Sequence, residues 1–231
     1  MKAGVLYSGG KDSTFAAYLA KQKGDELACL ITLSPARTDS FMFHYPNIKW
    51  TSLQAEAMGL PQVLLETKGV KEAELADLRD AIATAKKTYS IDAVYTGALS
   101  SVYQKSRVDR ICEELDVKGV SPLWQVDQVQ HLKNLLANNF EVIMTGVAAL
   151  GFDESWLGRT LDEKMIDEIA KLHKRYGINP GLEGGEGETF VLDCPIFDRR
   201  VEVVSSKNHW KGDAGYLEIL QARLAPKTSR R

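Results

Sequence analysis

Residues Ser8 to Ser13 read Ser-Gly-Gly-Lys-Asp-Ser and follow the apolar run Ala3-Gly4-Val5-Leu6-Tyr7. These types in this order have the parts of a phosphate cradle. Gly9 and Gly10 let the backbone turn its N–H groups toward an anion. A helix beginning near Asp12 adds the partial positive charge of its N-terminus. Lys11 adds a full charge, and Ser8 and Ser13 add hydroxyl donors. Asp12 is suited to hold Mg²⁺ against phosphate oxygens, because a hard cation prefers oxygen ligands; the helix dipole alone would also favour a carboxylate there. The loop is not a Walker A motif, which needs G-x-x-x-x-G-K-[ST]. Val5 stands where the first glycine belongs, and Asp12 follows Lys11.

Other residues could complete such a site. Gly97, in Tyr95-Thr96-Gly97-Ala98, permits close backbone approach to a nucleotide. Tyr103 and Arg107 are four apart and share one face of a helix. Arg107 could stabilise charge on an α phosphate, or pair with Asp109 or Asp92. His44 lies in a long connection within Phe41-Met42-Phe43-His44-Tyr45-Pro46, where it could accept a proton from an incoming amine or serve structure alone. Leu182 to Phe190 read Leu-Glu-Gly-Gly-Glu-Gly-Glu-Thr-Phe. Glu183, Glu186 and Glu188 concentrate negative charge there, able to hold Mg²⁺, an ammonium or a cationic substrate. The glycines at 184, 185 and 187 cost order unless that loop is pinned.

The elements that must position these groups are legible as a coarse pattern. Strand-like runs occur at Lys2–Tyr7, Glu26–Leu33, Gln62–Glu66 and Ala93–Thr96. Between and after them lie helical faces: Leu75, Leu78, Ile82, Ala85 and Tyr89, then Val108, Ile111, Cys112 and Leu115. Gly24 and Gly59 mark helix ends. Strands alternating with helices predict a doubly wound, mostly parallel α/β sheet, with ligands at the carboxyl ends of its strands. That rule places the phosphate loop, His44 and Gly97 near one mouth.

From about residue 126 the pattern changes to a second, smaller α+β domain. It has a short helix around Leu132–Leu136, a strand at Glu141–Val147 and a helical face Leu161, Met165, Ile169, Leu172 and Tyr176 closed by Gly177. Strand-like runs follow at Thr189–Asp193, Arg200–Ser205 and Tyr216–Leu224, the last two forming a hairpin across Lys211-Gly212-Asp213. The expected domains are 1–125 for ATP binding and 126–231 for substrate binding.

Composition narrows the classes. With 231 residues, 44% hydrophobic and 26% charged, the chain is an ordinary globular one with a real core. A net charge of −2 gives no basic footprint for a stable nucleic-acid partner. No apolar stretch reaches the ~20 residues needed to span a bilayer, and no signal peptide is evident, so the cytoplasm is expected. Cys29, Cys112 and Cys194 are few and far apart, forming neither a disulfide framework nor a zinc site.

The Ser8–Ser13 hexapeptide resembles the PP-loop of the ATP pyrophosphatase superfamily, whose members split ATP between its α and β phosphates. Further blocks come in a matching order: Met42-Phe43-His44, Tyr103-Gln104 with Arg107, Pro122-Leu123-Trp124, and Glu183-Gly184-Gly185-Glu186 to Glu188-Thr189. Together they resemble the diphthine–ammonia ligase family of short, archaeal type, over nearly the whole chain. Gly187 departs from the bulky residue common in the acidic block.

The resemblance implies a reaction. Diphthine, a modified histidine on translation elongation factor 2, would be activated by ATP as an acyl-adenylate. Ammonia would attack it to give diphthamide, AMP and pyrophosphate. Ser8, Gly9, Gly10, Lys11, Asp12, Ser13 and Gly97 would then bind ATP, with Mg²⁺ on Asp12. Lys11, Asp12, His44, Arg107 and Glu186 would serve catalysis. Tyr45, Tyr103, Gln104, Trp124, Glu183, Glu186 and Glu188 would bind substrate, the carboxylates and aromatics facing diphthine's quaternary ammonium. No activated cysteine is evident for a glutaminase, so ammonium is the expected nitrogen donor. A tRNA-modifying PP-loop enzyme and a non-enzymatic ATP-binding module remain alternatives, and self-association into a homo-oligomer is left open.

Overall fold

The computed structural model describes residues 1–35, 47–67 and 71–227, without the side chains of 35 and 71–73. The chain divides into two compact units, Met1–Trp124 and Gln125–Arg231.

The first unit carries five strands, β1 (Lys2–Leu6), β2 (Glu26–Pro35), β3 (Gln62–Thr67), β4 (Ala93–Tyr95) and β5 (Lys118–Val120). They form one parallel sheet in the order β3-β2-β1-β4-β5. The inner strands are apolar on both faces, as a sheet covered on both sides requires: Ala3, Val5, Cys29 and Leu30 are fully buried. Helices α1 (Lys11–Gln22), α2 (Thr51–Met58), α3 (Lys71–Tyr89) and α4 (Val102–Glu114) supply the crossovers. From β1 the chain steps outward to β2 and β3, then returns past β1 to β4 and β5. Right-handed crossovers therefore put α1 and α2 on one face and α3 and α4 on the other. Ile82 and Ala85 of α3 join Ile111 and Cys112 of α4 in a core against Cys29, Ile31 and Val94. The doubly wound sheet expected from the alternating pattern is present.

The second unit contains helices α5 (Gln128–Ala137) and α6 (Glu163–Tyr176) and strands β6 (Glu141–Val147), β7 (Gly187–Asp193), β8 (Arg200–Lys211) and β9 (Ala214–Ala225). The strands form an antiparallel sheet in the order β7-β6-β9-β8. Asp162 caps α6 by accepting the Met165 N–H at 2.7 Å, and Gly177 ends it in the left-handed conformation. Leu161, expected on this helix, lies just before it and is buried. β8 and β9 pair from Arg200↔Ala225 to Lys211↔Ala214, with an irregularity at Ser205, so the expected hairpin turns at Gly212 and Asp213.

Candidate active site

Strand order reverses between β1 and β4, whose outward connections run opposite ways and leave a crevice at their carboxyl ends. The Ser8–Ser13 loop leaves β1 there, and Gly97 follows β4. Gly9 adopts φ +81°, which suits glycine, and Gly10 is the extended N-cap of α1. No side chain makes a capping hydrogen bond to that helix, and its N-terminus turns the positive end of the helix dipole toward the loop.

The loop is held in shape from several sides. Ser8 N–H donates to Ser13 Oγ at 3.3 Å, and the two hydroxyls lie 3.2 Å apart. Thr14 Oγ1 donates to Gly10 O at 2.8 Å. Buried Gln54, on α2, donates its amide to Gly9 O at 3.0 Å. Gln62 bridges Thr32 and Thr51 at 2.8 and 2.9 Å, tying β2 to the start of α2. Sequence reasoning missed Gln54, Gln62 and Thr14. The only signal for Gln54 is a polar amide set among the apolar residues Leu53, Ala55 and Ala57.

Lys11 is 3% exposed, and its ammonium pairs with Asp12 Oδ2 at 2.8 Å. Among the described residues no group of three or more His, Cys, Asp or Glu could hold a metal ion. A divalent cation at this loop would therefore rest on the single Asp12 carboxylate and on phosphate oxygens. That donor set fits Mg²⁺, which commonly takes one or two carboxylates together with substrate phosphates.

Gly97 answers to the protein itself. A Cβ there would lie 2.6 Å from Asp12 C and Ser13 N, so the turn after β4 rests directly on the start of α1. Arg107 lies with its guanidinium carbon 3.3 Å from the Tyr103 ring centroid and donates Nη1–H to Tyr103 O at 3.3 Å. Its Nε is buried and makes no hydrogen bond among the described residues. Asp109 pairs instead with Lys105, and Asp92 accepts the Lys2 N–H, so neither aspartate takes Arg107. Gln104 donates its backbone N–H to the Ser101 cap, and Trp124 lies 5.6 Å from the Lys105 ammonium. His44 and Tyr45 lie outside the described residues.

In the second unit, the acidic glycine block forms a turn that runs into β7. Gly184 and Gly185 take φ +94° and +89°. Glu186 Oε1 accepts the Asn179 N–H at 2.8 Å, while Oε2 is buried and unbonded among the described residues. Burial pushes this carboxyl above the usual range, against the Asn179 hydrogen bond and the charge of His173. Glu186 thus pins the turn from inside rather than presenting both oxygens outward. Glu188 pairs across the ladder with Gly146. A Cβ at Gly187 would lie 3.2 Å from Leu182 Cδ1, so glycine lets that side chain pack beneath the turn.

All three thiols are buried and free of disulfides. Burial raises Cys29 and Cys112 to about 11 and Cys194 to about 12. None is a thiolate at neutral pH, so none has the character of a glutaminase nucleophile.

Comparison with known proteins follows the same division of the chain. The model described as diphthamide synthase N-terminal domain matches residues 1–119, and that of the diphthamide synthase C-terminal domain matches 127–225. The diphthine–ammonia ligase of Homo sapiens is 32% identical, over 99% of this chain and 94% of that protein. That of Mus musculus is 35% identical, over 97% and 91%. That of Schizosaccharomyces pombe is 33% identical over 95% of this chain, which spans 39% of it. A solved structure described as a predicted subunit of tRNA methyltransferase from Methanocaldococcus jannaschii aligns with a TM-score of 0.44 and 20% identity, over 84% of this chain and 98% of that one.

Proposed function

The chain belongs to the diphthamide synthase family, and from that premise we propose that it joins ammonia to the carboxylate of diphthine on elongation factor 2 at the expense of ATP. It is an ATP-dependent ligase. In our reading, residues 1–125 bind ATP and residues 126–231 bind the protein substrate. The site of action is the cytoplasm, where a translation factor is met.

Oxide is a poor leaving group from a carboxylate, and AMP is a better one. The reaction therefore begins with attack of the diphthine carboxylate on the α phosphorus, forming an acyl-adenylate and expelling pyrophosphate. Ammonia then displaces AMP. The Ser8–Ser13 loop and the N-terminus of α1 receive the leaving pyrophosphate, with Lys11 neutralising its charge. Arg107, oriented by its stack on Tyr103, faces the charge that develops at the α phosphate. Asp12 would hold Mg²⁺, which when bound screens the phosphate oxygens from one another. The half-buried Glu186 fixes the turn that carries Glu183 and Glu188, and these two offer negative charge to diphthine's quaternary ammonium.

One observation carries this reading: an uncapped helix N-terminus behind a glycine-turned loop, placed where the strand order reverses. Its test is pyrophosphate release with ATP, ammonium and diphthine-bearing elongation factor 2. Release should need all three and should be accompanied by the amide product. Release that followed tRNA instead would favour the tRNA-modifying reading, and ATP binding without release would favour a non-enzymatic module.

A further inference from the structure

The Gly9 carbonyl is held by a helix that lies far from it in sequence. Gln54 on α2 is fully buried and donates its Nε2–H to Gly9 O at 3.0 Å. Thr51, the buried first residue of α2, bears on the same glycine. A Cβ at residue 9 would lie 2.5 Å from Gln54 Oε1 and 3.0 Å from Thr51 Cγ2. One side of the phosphate loop is therefore filled by α2, and an anion must approach from another.

The start of α2 is itself fixed. Thr51 Oγ1 donates to Ile48 O at 2.6 Å and accepts from the Gln62 amide at 2.9 Å. The same Gln62 nitrogen donates to Thr32 Oγ1 at 2.8 Å, and Thr32 Oγ1 donates to Tyr7 O at 2.9 Å. Tyr7 is the residue before the loop. Directed bonds thus run from Tyr7 O through β2, β3 and α2 back to Gly9 O. Hydrogen bonds weaken steeply with misalignment, so this circuit sets orientation more strictly than apolar packing does.

Planarity carries that orientation to the ligand side. In the trans peptide between Gly9 and Gly10, the C=O and the N–H lie in one plane and point opposite ways. By fixing Gly9 O toward α2, Gln54 turns the Gly10 N–H away from α2. A glycine on each side lets this peptide rotate at little steric cost, so a hold on its carbonyl is what selects one orientation. Gly10 is also the N-cap of α1, so its N–H stands beside the positive end of that helix.

We propose that Gln54 is a positioning residue for the pyrophosphate half of ATP: its amide sets the Gly9–Gly10 peptide so that the Gly10 N–H meets the leaving pyrophosphate. This rests on the ligase reading, in which the Ser8–Ser13 loop receives that group. A neutral amide suits the role. An ionised glutamate in its place offers no donor to Gly9 O and adds charge of the ligand's own sign, and a methionine keeps the length without the donor.

The test separates the two halves of ATP. Pyrophosphate with Mg²⁺, and AMP, are titrated by calorimetry into the unmodified chain, Gln54→Met and Gln54→Glu. Both variants should bind pyrophosphate at least about tenfold more weakly, Gln54→Glu the weaker of the two, with AMP affinity unchanged. Equal loss for both ligands would mark a general loosening of the unit and overturn the proposal. So would unchanged pyrophosphate affinity in a folded Gln54→Met, or no pyrophosphate binding by the unmodified chain. Should both variants melt early, NMR of the unmodified chain decides. Pyrophosphate should shift the Gly10 N–H and the Gln54 side-chain amide together, and AMP neither. Bound pyrophosphate that left both unmoved would overturn it. A chain with these pyrophosphate effects that made no amide would refute the ligase reading and leave Gln54 its role. An active ligase whose pyrophosphate affinity ignored Gln54 would refute the role alone.

Discussion

Gly97 rests on Asp12 backbone to backbone. A Cβ at Gly97 would stand 2.6 Å from the Asp12 carbonyl carbon and 2.8 Å from its oxygen. Neither atom belongs to a flexible side chain, so neither can give way cheaply. The contact joins the ends of the two strands that flank the crevice. Gly97→Ala is expected to push the start of α1 off the β4 turn. It should cost about 1–3 kcal/mol of stability and raise KM for ATP at least about tenfold. Thermal unfolding and ATP-dependent pyrophosphate release measure both effects. An alanine variant with wild-type KM would show that the cradle does not depend on this contact.

Lys11 and Asp12 form a pair at 2.8 Å that ATP and Mg²⁺ would have to reorganise. Chelation with EDTA should stop pyrophosphate release, and added Mg²⁺ should restore it. Asp12→Asn should raise the Mg²⁺ concentration giving half-maximal rate about tenfold. Lys11→Met should lower turnover about a hundredfold. An unaltered Mg²⁺ dependence in Asp12→Asn would remove Asp12 as the metal-holding residue.

Arg107 meets Tyr103 through the flat face of its guanidinium. A lysine cannot reproduce that stack or offer a planar pair of donors to phosphate. Arg107→Lys should therefore lose nearly as much as Arg107→Ala, about a hundredfold in kcat. Steady-state kinetics on both variants, with circular dichroism to confirm the fold, make the comparison. Full activity in Arg107→Lys would reduce the requirement to a point charge.

Glu186 supplies a pH-dependent prediction. Its carboxyl is held above the usual range by burial, so the folded chain keeps this proton more readily than the unfolded chain does. The stability this group contributes is full below about pH 4, the unfolded carboxylate range, and is lost as pH rises through the higher folded value. Glu186→Gln removes the ionisation but can still accept the Asn179 N–H. Its Tm should match wild type near pH 4 and exceed it by about 2 °C at pH 7. A difference that did not grow with pH would show that Glu186 ionises without penalty.

The thiols predict a null result with a sharp alternative. With Cys29 at about 11, on the order of one thiol in a thousand is ionised at pH 8, and the sulfur is buried besides. Iodoacetamide under native conditions should leave ammonium-dependent turnover unchanged. Glutamine in ammonia-free buffer should support no amide formation. Turnover with glutamine alone would mean that a nucleophile has been overlooked.

What the sequence disclosed follows from the range of the forces involved. The phosphate loop was legible because glycine, lysine and hydroxyls sit together in six residues beside an apolar strand. The helical faces of α3 and α4 were legible because their period is local. Gln54 was not, since its partner Gly9 lies 45 residues away and only the crossover through β2 brings them together. The strand β5 was also missed. It is three residues at the sheet edge, Lys118-Gly119-Val120, with no apolar run to announce it. The sequence presents the glutamates of 183–188 as one acidic group, yet their contacts differ: Glu186 accepts the Asn179 N–H and buries its Oε2, and Glu188 leans against Gly146.

The division of strands has a further consequence for how the protein is made. Every strand of the parallel sheet lies before Ser121, and every strand of the antiparallel sheet lies after Phe140. Among the described residues, neither sheet borrows a strand from the other half of the sequence. The N-terminal unit therefore has all its pairing partners once Trp124 has left the ribosome. Synthesis of the remainder, at ~5–20 residues per second, lasts on the order of 5–20 s. Mixed α/β domains commonly fold in less time than that. The nucleotide cradle can thus be assembled on the nascent chain while the antiparallel sheet is still being translated, and ATP in the cell can bind and stabilise it before synthesis ends.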